Sequence, residues 1–222
     1  MVLSGPAGAS LRDTWISSQW HSHAMRTSVQ KVHQLVVGIR PLDELESKHR
    51  TQALRWLEST DDVFRRAKPS TPTPHLVSYV ALVDPSDGSC LLVDHINAQL
   101  WLPPGGHVEP DEHPADTAHR EAQEELCIDA AFAHPARKPS FITITETVGL
   151  DHGHTDVSLW FLLIGQRGMP LTTDPAEFSE ARWWTPDQIQ AADSSWFDPH
   201  LPRFVTKQLG PMSSPLPRQE AG

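Results

Sequence analysis

Three glutamates lie close together in one predicted helix near the middle of the chain. Glu121, Glu124 and Glu125 fall within residues 114–126, where three alanines and Leu126 recur at helical spacing and predict a buried face. At about 100° per residue, the three carboxylates occupy an adjacent arc of about 100°. Each pair repels by roughly a few tenths of a kcal/mol, and the helix dipole opposes anions near its C-terminal end. A hard cation, Mg²⁺ or Mn²⁺, would offset this repulsion because it prefers oxygen ligands.

The spacing around these glutamates decides between a metal site and an ordinary solvated acidic face. Residues 105–128 read GGHVEPDEHPADTAHREAQEELCI. This segment resembles the signature of the Nudix hydrolase family: Gly, five residues, Glu, seven residues, Arg-Glu, an aliphatic residue, any residue, Glu-Glu, any residue, Gly and an aliphatic residue. All charged positions match, and Ala122 is a small member of the aliphatic class. Cys127 replaces the family's Gly, so we expect about 1 kcal/mol of strain in a left-handed turn, or a different cap.

The resemblance implies a role for each matching residue. The expected Mg²⁺ ligands are the helix carboxylates and one backbone carbonyl: Glu121, Glu124, Glu125 and Gly105. Glu112 and Arg120 should form an ion pair that closes the loop onto the helix and orients the first of these glutamates. The general base should be a carboxylate in the signature or in a later loop, and the candidates are Glu124, Glu125 and Glu177.

The reaction implied by the resemblance is Mg²⁺-dependent hydrolysis of a diphosphate bond in a nucleoside diphosphate linked to another group, which releases a monophosphate. Two alternatives remain open at this stage. An isopentenyl-diphosphate-isomerase-like enzyme would need a cysteine in an early strand, and Cys90 is the candidate. A non-catalytic nucleotide sensor is the other alternative, although such a protein need not keep every charged position of the signature.

Four residues outside the three glutamates are predicted to contact the substrate: His107, His154, Trp160 and Tyr79. His107 follows the two glycines and could touch a phosphate, whereas a hydrogen-bonded loop histidine is the simpler alternative. His154 and Trp160 share one face if residues 154–160 form a strand, but sheet packing explains the aromatic residues equally well. The histidine pairs at 21–23 and 152–154 lack the spacing of a zinc site with cysteines, so zinc is not expected.

The elements that must position these residues are an N-terminal helix, then strands, one central helix, further strands and two final helices. Apolar segments predict strands at 75–83, 89–94, 141–147 and 157–164, the first two joined as a hairpin by the turn 84–88. Helices are predicted at 42–58, 114–126, 185–192 and 199–209, with a further short helix after 59–62. We therefore expect an α/β (α+β) protein: a Nudix-type α/β/α sandwich with a mixed central sheet and an N-terminal helical extension.

Composition divides the 222 residues into four predicted segments. Residues 1–30 are expected to be a mobile tail, 31–68 the helical extension, 69–209 the Nudix hydrolase domain and 210–222 a flexible C-terminal tail. The proline-rich joint at 68–74 marks the main boundary. Two cysteines, no apolar stretch long enough to span a bilayer and no signal-peptide core favour a cytoplasmic protein without a membrane partner. The N-terminal helix leaves a homodimer open.

The formal net charge of −10 argues against binding a nucleic-acid polymer, because the phosphate backbone would be repelled. The charge is concentrated: residues 109–125 hold seven acidic residues and one arginine, a net −6. Cations gathered there would let this acidic chain bind a small nucleoside diphosphate derivative.

Overall fold

The computed structural model describes residues 27–67, 71–147 and 153–209. In this part of the chain eight strands form one mixed sheet. The strands are β1 His75–Val83, β2 Cys90–His95, β3 Leu100–Leu102, β4 Gly105–His107, β5 Ala131–Phe132, β6 Phe141–Glu146, β7 Thr155–Ile164 and β8 Phe178–Trp184. The helices are α1 over residues 27–37, α2 Glu44–Ser59, α3 Pro114–Leu126, α4 Pro186–Ala191 and α5 Leu201–Leu209, with a short 3₁₀ turn at Ser194–Trp196.

Strand β1 is the centre of the sheet and organises the site. It pairs antiparallel with β2 and with the short β4, and parallel with β7 along its whole length. The sheet order along the main path is β3-β2-β1-β7-β5, with β8 beside β2 and β6 beside β7. The predicted hairpin is confirmed, with Val83 opposite Cys90 and a positive φ at Gly88 in its turn. Residues 77–79, in the first half of β1, thus lie between β4 and β7.

Alternation along β1 separates two apolar layers. Leu76, Val80 and Leu82 pack with helix α3 and the N-terminal helices, whereas Ala81 and Val83 pack with α4 and α5 on the other face. The chain is therefore an α/β/α sandwich with a mixed sheet, and the predicted fold class is confirmed. No helix within the described ranges is both long and apolar enough to cross a membrane.

The N-terminal extension packs closely on this sandwich. Asp43 caps α2 by accepting from the Glu46 amide at 2.8 Å, and Arg203 on α5 donates to it at 2.9 Å, which holds the pKa of Asp43 at about 2. Glu46 is fully buried, and Lys207 on α5 donates to its carboxylate at 2.6 Å. The cap residue Asp43 and the first-turn residue Glu46 of α2 therefore both contact α5 of the same chain.

Two local expectations differ from the structure. Within the described residues 63–67 no helix follows 59–62; instead Val63 accepts a hydrogen bond from the Leu76 amide at 2.9 Å, and Val63 and Phe64 are buried beside the start of β1. Residues 27–30, assigned to the mobile tail, belong to helix α1. The rest of the predicted tails, 1–26 and 210–222, lies outside the described residues, and the fourfold division of the chain stays a prediction.

Candidate active site

Helix α3 is held at both ends by specific contacts. Its first turn begins at Pro114, and the Nδ1 atom of His113 accepts from the Ala115 amide at 3.1 Å. The hydroxyl of Ser78 on β1 donates to the Pro114 carbonyl at 2.8 Å, which ties the helix to the sheet. At the other end Cys127 takes the left-handed conformation, with φ 55°, and its amide donates to the Gln123 carbonyl at 3.1 Å. The cysteine therefore makes the turn for which glycine is favoured.

The Gly105–Gly106 segment lies against both the sheet and the helix. A side chain at Gly105 would place its Cβ 2.3 Å from the Ser78 carbonyl oxygen, and one at Gly106 would place it 2.1 Å from Oε1 of Glu121. Only glycine fits either position without displacing a neighbour. The glycines thus allow β4 to approach β1 and leave room for the glutamate carboxylate.

The three glutamates differ in exposure. The side chain of Glu121 is 10% exposed, whereas that of Glu124 is 59% exposed. Glu125 is half-buried, and its Oε2 accepts from the Gly105 amide at 2.9 Å. The expected contribution of Gly105 was its carbonyl; the contact seen here is made by its amide.

The carboxylates form a site that disfavours its own ionisation. Burial raises the pKa of the Glu125 carboxyl to about 9, and the nearby Glu121 carboxylate contributes to the same shift. Burial also raises the pKa of Glu121, although Arg120 opposes this effect. Both shifts favour the protonated carboxyls when no cation is bound. This crowded set of oxygen donors fits a hard divalent cation, which would favour the ionised forms.

Arg120 connects the loop to the glutamates. It makes a two-pronged contact with Glu112, at 2.9 and 3.1 Å, which is the predicted ion pair. The same guanidinium donates to Glu121 at 2.8 Å and to Glu124 at 2.9 Å, and its other amino group reaches the His107 carbonyl at 3.3 Å. Hydrogen bonding to Glu112 raises the pKa of Arg120 further above its usual value. The guanidinium thus positions two of the three glutamates.

A cavity of about 840 Å³ lies over these groups. Its wall includes the three glutamates, Arg120 and the glycines, together with four of the residues predicted from the sequence: Tyr79, His107, His154 and Glu177. Glu112 is not part of this wall and reaches the site through its contact with Arg120. Glu177 is half-exposed, and its carboxylate lies 3.9 Å from Nε2 of His95.

Trp160 is the predicted substrate contact that the structure does not place on the cavity wall. It is fully buried, its indole nitrogen donates to the Thr143 hydroxyl at 3.1 Å, and it stacks on Phe204 of α5. Its edge meets the ring of Tyr79 at 5.0 Å between centroids. Trp160 therefore supports Tyr79 from the core, because strand β7 is covered by α5 at that position.

Asp198 is a cavity residue that the sequence analysis missed. It is buried, its carboxylate accepts from the His200 amide at 2.7 Å, and burial raises its pKa to about 6. The available signal was an aspartate followed by proline just before a predicted helix, which is typical of a cap. His95, on the same wall, carried no comparable signal.

Comparison with known proteins agrees with this geometry. The family model for the NUDIX domain matches residues 73–204, well over half of the chain. The chain is 32% identical over 94 residues to the uncharacterized Nudix hydrolase orf19 of Rhodococcus erythropolis. This matched segment covers 41% of this chain and 50% of that protein. It thus spans about half the length of this curated relative.

Similar solved structures include a NUDIX-family hydrolase from Clostridium perfringens, at 20% identity and a TM-score of 0.48, covering 61% of this chain and 95% of that one. An Ap4A hydrolase from C. elegans, solved as a binary complex, has 19% identity and a TM-score of 0.48, covering 60% and 93%. The family model matches more than half of the chain, and the three glutamates, Arg120 and Gly106 of the signature line one cavity; the chain belongs to the Nudix hydrolase family.

Proposed function

We propose that the protein hydrolyses a diphosphate bond in a nucleoside diphosphate linked to another group and releases a monophosphate. The observation that carries this proposal is the set of three glutamates on α3, two of them withdrawn from solvent, at the wall of a cavity of about 840 Å³. Cavities of roughly 300–1,000 Å³ accommodate small organic ligands, so a nucleotide derivative fits.

We propose Mg²⁺ as the cation, with Mn²⁺ as a substitute, held by Glu121, Glu124 and Glu125. When bound, the cation would neutralise the diphosphate and lower the pKa of an attacking water. The protein's own part is positional. Arg120 holds the carboxylates of Glu121 and Glu124 from one side, and the Gly105 amide holds Glu125 from the other. The carboxylates are thus in place before a substrate arrives.

A carboxylate must also accept the proton of the attacking water, and the candidates remain Glu124, Glu125 and Glu177. All three lie on the cavity wall. Replacement of each by glutamine separates them, because the variant that lacks the base should lose the acidic limb of the pH–rate profile. A variant that lacks only a ligand should instead need more Mg²⁺ and keep that limb.

The proposal is tested by incubating the full chain with Mg²⁺ and a panel of nucleoside triphosphates, nucleotide sugars and dinucleotides, and measuring monophosphate release. Glu125→Gln should abolish turnover of whichever compound reacts, whereas Glu44→Gln, an exposed position on α2, should not change it. Equal rates for Glu125→Gln and the parent would refute the site. Thermal stabilisation by one compound without turnover would favour a sensor.

The structure weakens the isomerase alternative. Cys90 is fully buried on β2, where it packs in the layer next to α4 and α5, and burial raises the pKa of its thiol to about 12. A thiol in this position is not on the cavity wall and stays protonated. A catalytic role for Cys90 therefore has no geometric support.

The location and the assembly of the protein are also proposals. We propose a cytoplasmic protein that acts on a small nucleotide derivative rather than on a polymer or a membrane. The N-terminal helix, which prompted the expectation of a homodimer, packs through Asp43 and Glu46 on α5 of its own chain. Light scattering after size exclusion distinguishes a monomer from a homodimer.

A further inference from the structure

We propose that the protein binds a second metal ion, of the Zn²⁺ class, at a site separate from the glutamates of α3. The site is formed by three histidines and one aspartate: His75, His107, His154 and Asp156. One ligand atom from each lies within 4.8 Å of all the others. A tetrahedral Zn²⁺ with ligand distances of about 2.0–2.2 Å places its ligand atoms roughly 3.3–3.6 Å apart. Small side-chain rotations therefore suffice to close the site.

The sheet brings these four residues together. His75 is the first residue of β1, and Asp156 lies directly opposite it on the parallel strand β7. His107 ends β4 on the other side of β1, opposite Val77. His154 immediately precedes β7. The backbone pairing of three strands thus holds the ligands, as a preformed metal site requires.

Hydrogen bonds orient two of the imidazoles toward the centre of the cluster. Nδ1 of His75 lies 2.6 Å from the Pro72 carbonyl, which can only accept, so Nδ1 carries the proton. The Thr147 hydroxyl donates to the His154 carbonyl at 3.2 Å and lies 3.1 Å from Nδ1 of His154, so it accepts from that nitrogen. Both contacts leave Nε2 as the free ligand atom, the usual arrangement around metal-binding histidines.

The centre of the cluster lacks a partner for its own polar atoms. Nε2 of His75 and Oδ1 of Asp156 are 3.0 Å apart, yet both are buried and neither makes a hydrogen bond of acceptable geometry. Nε2 of His154 lies 3.6 Å from the same oxygen. Burial of such groups without partners is unfavourable. A cation bound between them would satisfy the oxygen and both nitrogens together.

The donor set favours a transition metal over Mg²⁺. Imidazole nitrogens suit Zn²⁺ and its neighbours, whereas Mg²⁺ prefers oxygen. His75 is fully buried and His154 is 6% exposed, so two of the four ligands are withdrawn from water. His107, His154 and Asp156 also line the large cavity, and His107 directly follows the Gly105–Gly106 segment. The ion would therefore fix three strand ends beside the proposed active site.

The experiment uses Co²⁺ as a spectroscopic probe, because a tetrahedral site with nitrogen ligands gives an intense visible absorption band. The full chain is stripped of metal and carries three substitutions that disable the carboxylate site: Glu121→Gln, Glu124→Gln and Glu125→Gln. We expect one equivalent of Co²⁺ to produce the band and Zn²⁺ to displace it. This result does not depend on hydrolysis, so it separates failure of the second site from failure of the proposed function.

His107→Gln and His154→Gln, made in the same background, should each weaken Co²⁺ binding at least tenfold and reduce the band. His119→Gln is the matched control, because His119 pairs with Asp129 away from the cluster and should leave the band unchanged. Circular dichroism verifies that each variant is folded. If the background protein binds no Co²⁺ tetrahedrally, or if the two variants keep the parent's band, the proposed site is refuted. If both variants fail to fold, Co²⁺ binding by the background protein alone decides the test.

Discussion

Replacement of Gly106 by alanine offers a direct test of how the glycine segment serves the glutamates. The added Cβ would lie 2.1 Å from Oε1 of Glu121 and 2.4 Å from its Cδ. Ordinary contact begins at 3.4 Å, so the carboxylate must retreat by about 1.3 Å. Glu121 is buried and held by Arg120 at 2.8 Å, so this retreat breaks the contact that positions it.

The expected loss is large because the displaced group is a proposed metal ligand. A misplacement of about 1 Å in a catalytic arrangement can reduce the rate by about 100-fold, which is about 2.7 kcal/mol in the activation free energy. Crowding of a packed position also lowers the free energy of unfolding by about 1–3 kcal/mol. We therefore expect kcat to fall about 100-fold at a temperature where the variant remains folded.

The assay combines steady-state hydrolysis with titration of Mn²⁺ into the substrate-free protein by calorimetry. Gly38→Ala is the matched control, because its Cβ would meet only ordinary contacts and should leave both measurements unchanged. A second background sharpens the test: in Glu121→Asp, the shorter side chain leaves room, so Gly106→Ala should cost less there than in the parent. Normal Mn²⁺ affinity and kcat in folded Gly106→Ala would refute the reasoning.

Three further substitutions and one titration test other parts of the structure. Arg120→Lys should lower kcat at least about tenfold in steady-state assays, because an ammonium group cannot reproduce the two-pronged contact with Glu112. Glu46→Ala should lower the free energy of unfolding by about 3–5 kcal/mol in urea, since it leaves the Lys207 ammonium largely buried and unpaired. Cys127→Gly should raise that free energy by up to about 1 kcal/mol by relieving the left-handed turn. Burial lowers the pKa of His200 to about 4, below its usual 6.5, so its contribution to stability is present above pH 6.5 and is lost as the pH falls toward 4; urea unfolding of the parent and of His200→Gln at both ends of this range measures it.

The features that sequence analysis predicted well are those encoded within one stretch of chain. Helix α3 runs from Pro114 to Leu126, as the periodicity indicates, and the Glu112–Arg120 ion pair is the one that the resemblance to the Nudix signature implies. A helix fixes the relative positions of residues three and four apart, so three glutamates in sequence become three glutamates on one surface. Local spacing was sufficient for this half of the site.

The errors arose where tertiary packing decided the outcome. The potential capping residues at 59–62 favour a helix. The segment that follows is nevertheless not helical, and it buries Val63 and Phe64 beside β1. Trp160 alternates correctly with its neighbours on β7, but helix α5 covers that face at this point and removes it from the cavity. In both cases the local pattern was sound, and a distant element determined what it contacted.

The histidine cluster explains why the remaining part of the site could not be predicted. The expectation of no zinc rested on close pairs at 21–23 and 152–154, and residues 1–26 and 152 lie outside the described structure. The proposed site uses His154 with His75 and His107, which are separated by dozens of residues and meet only through the pairing of β1 with β4 and β7. A family signature describes the residues that members share in one loop and one helix. The groups that strand pairing adds are not among the residues that the signature specifies, and His107, His154 and Asp156 line the same cavity as the glutamates.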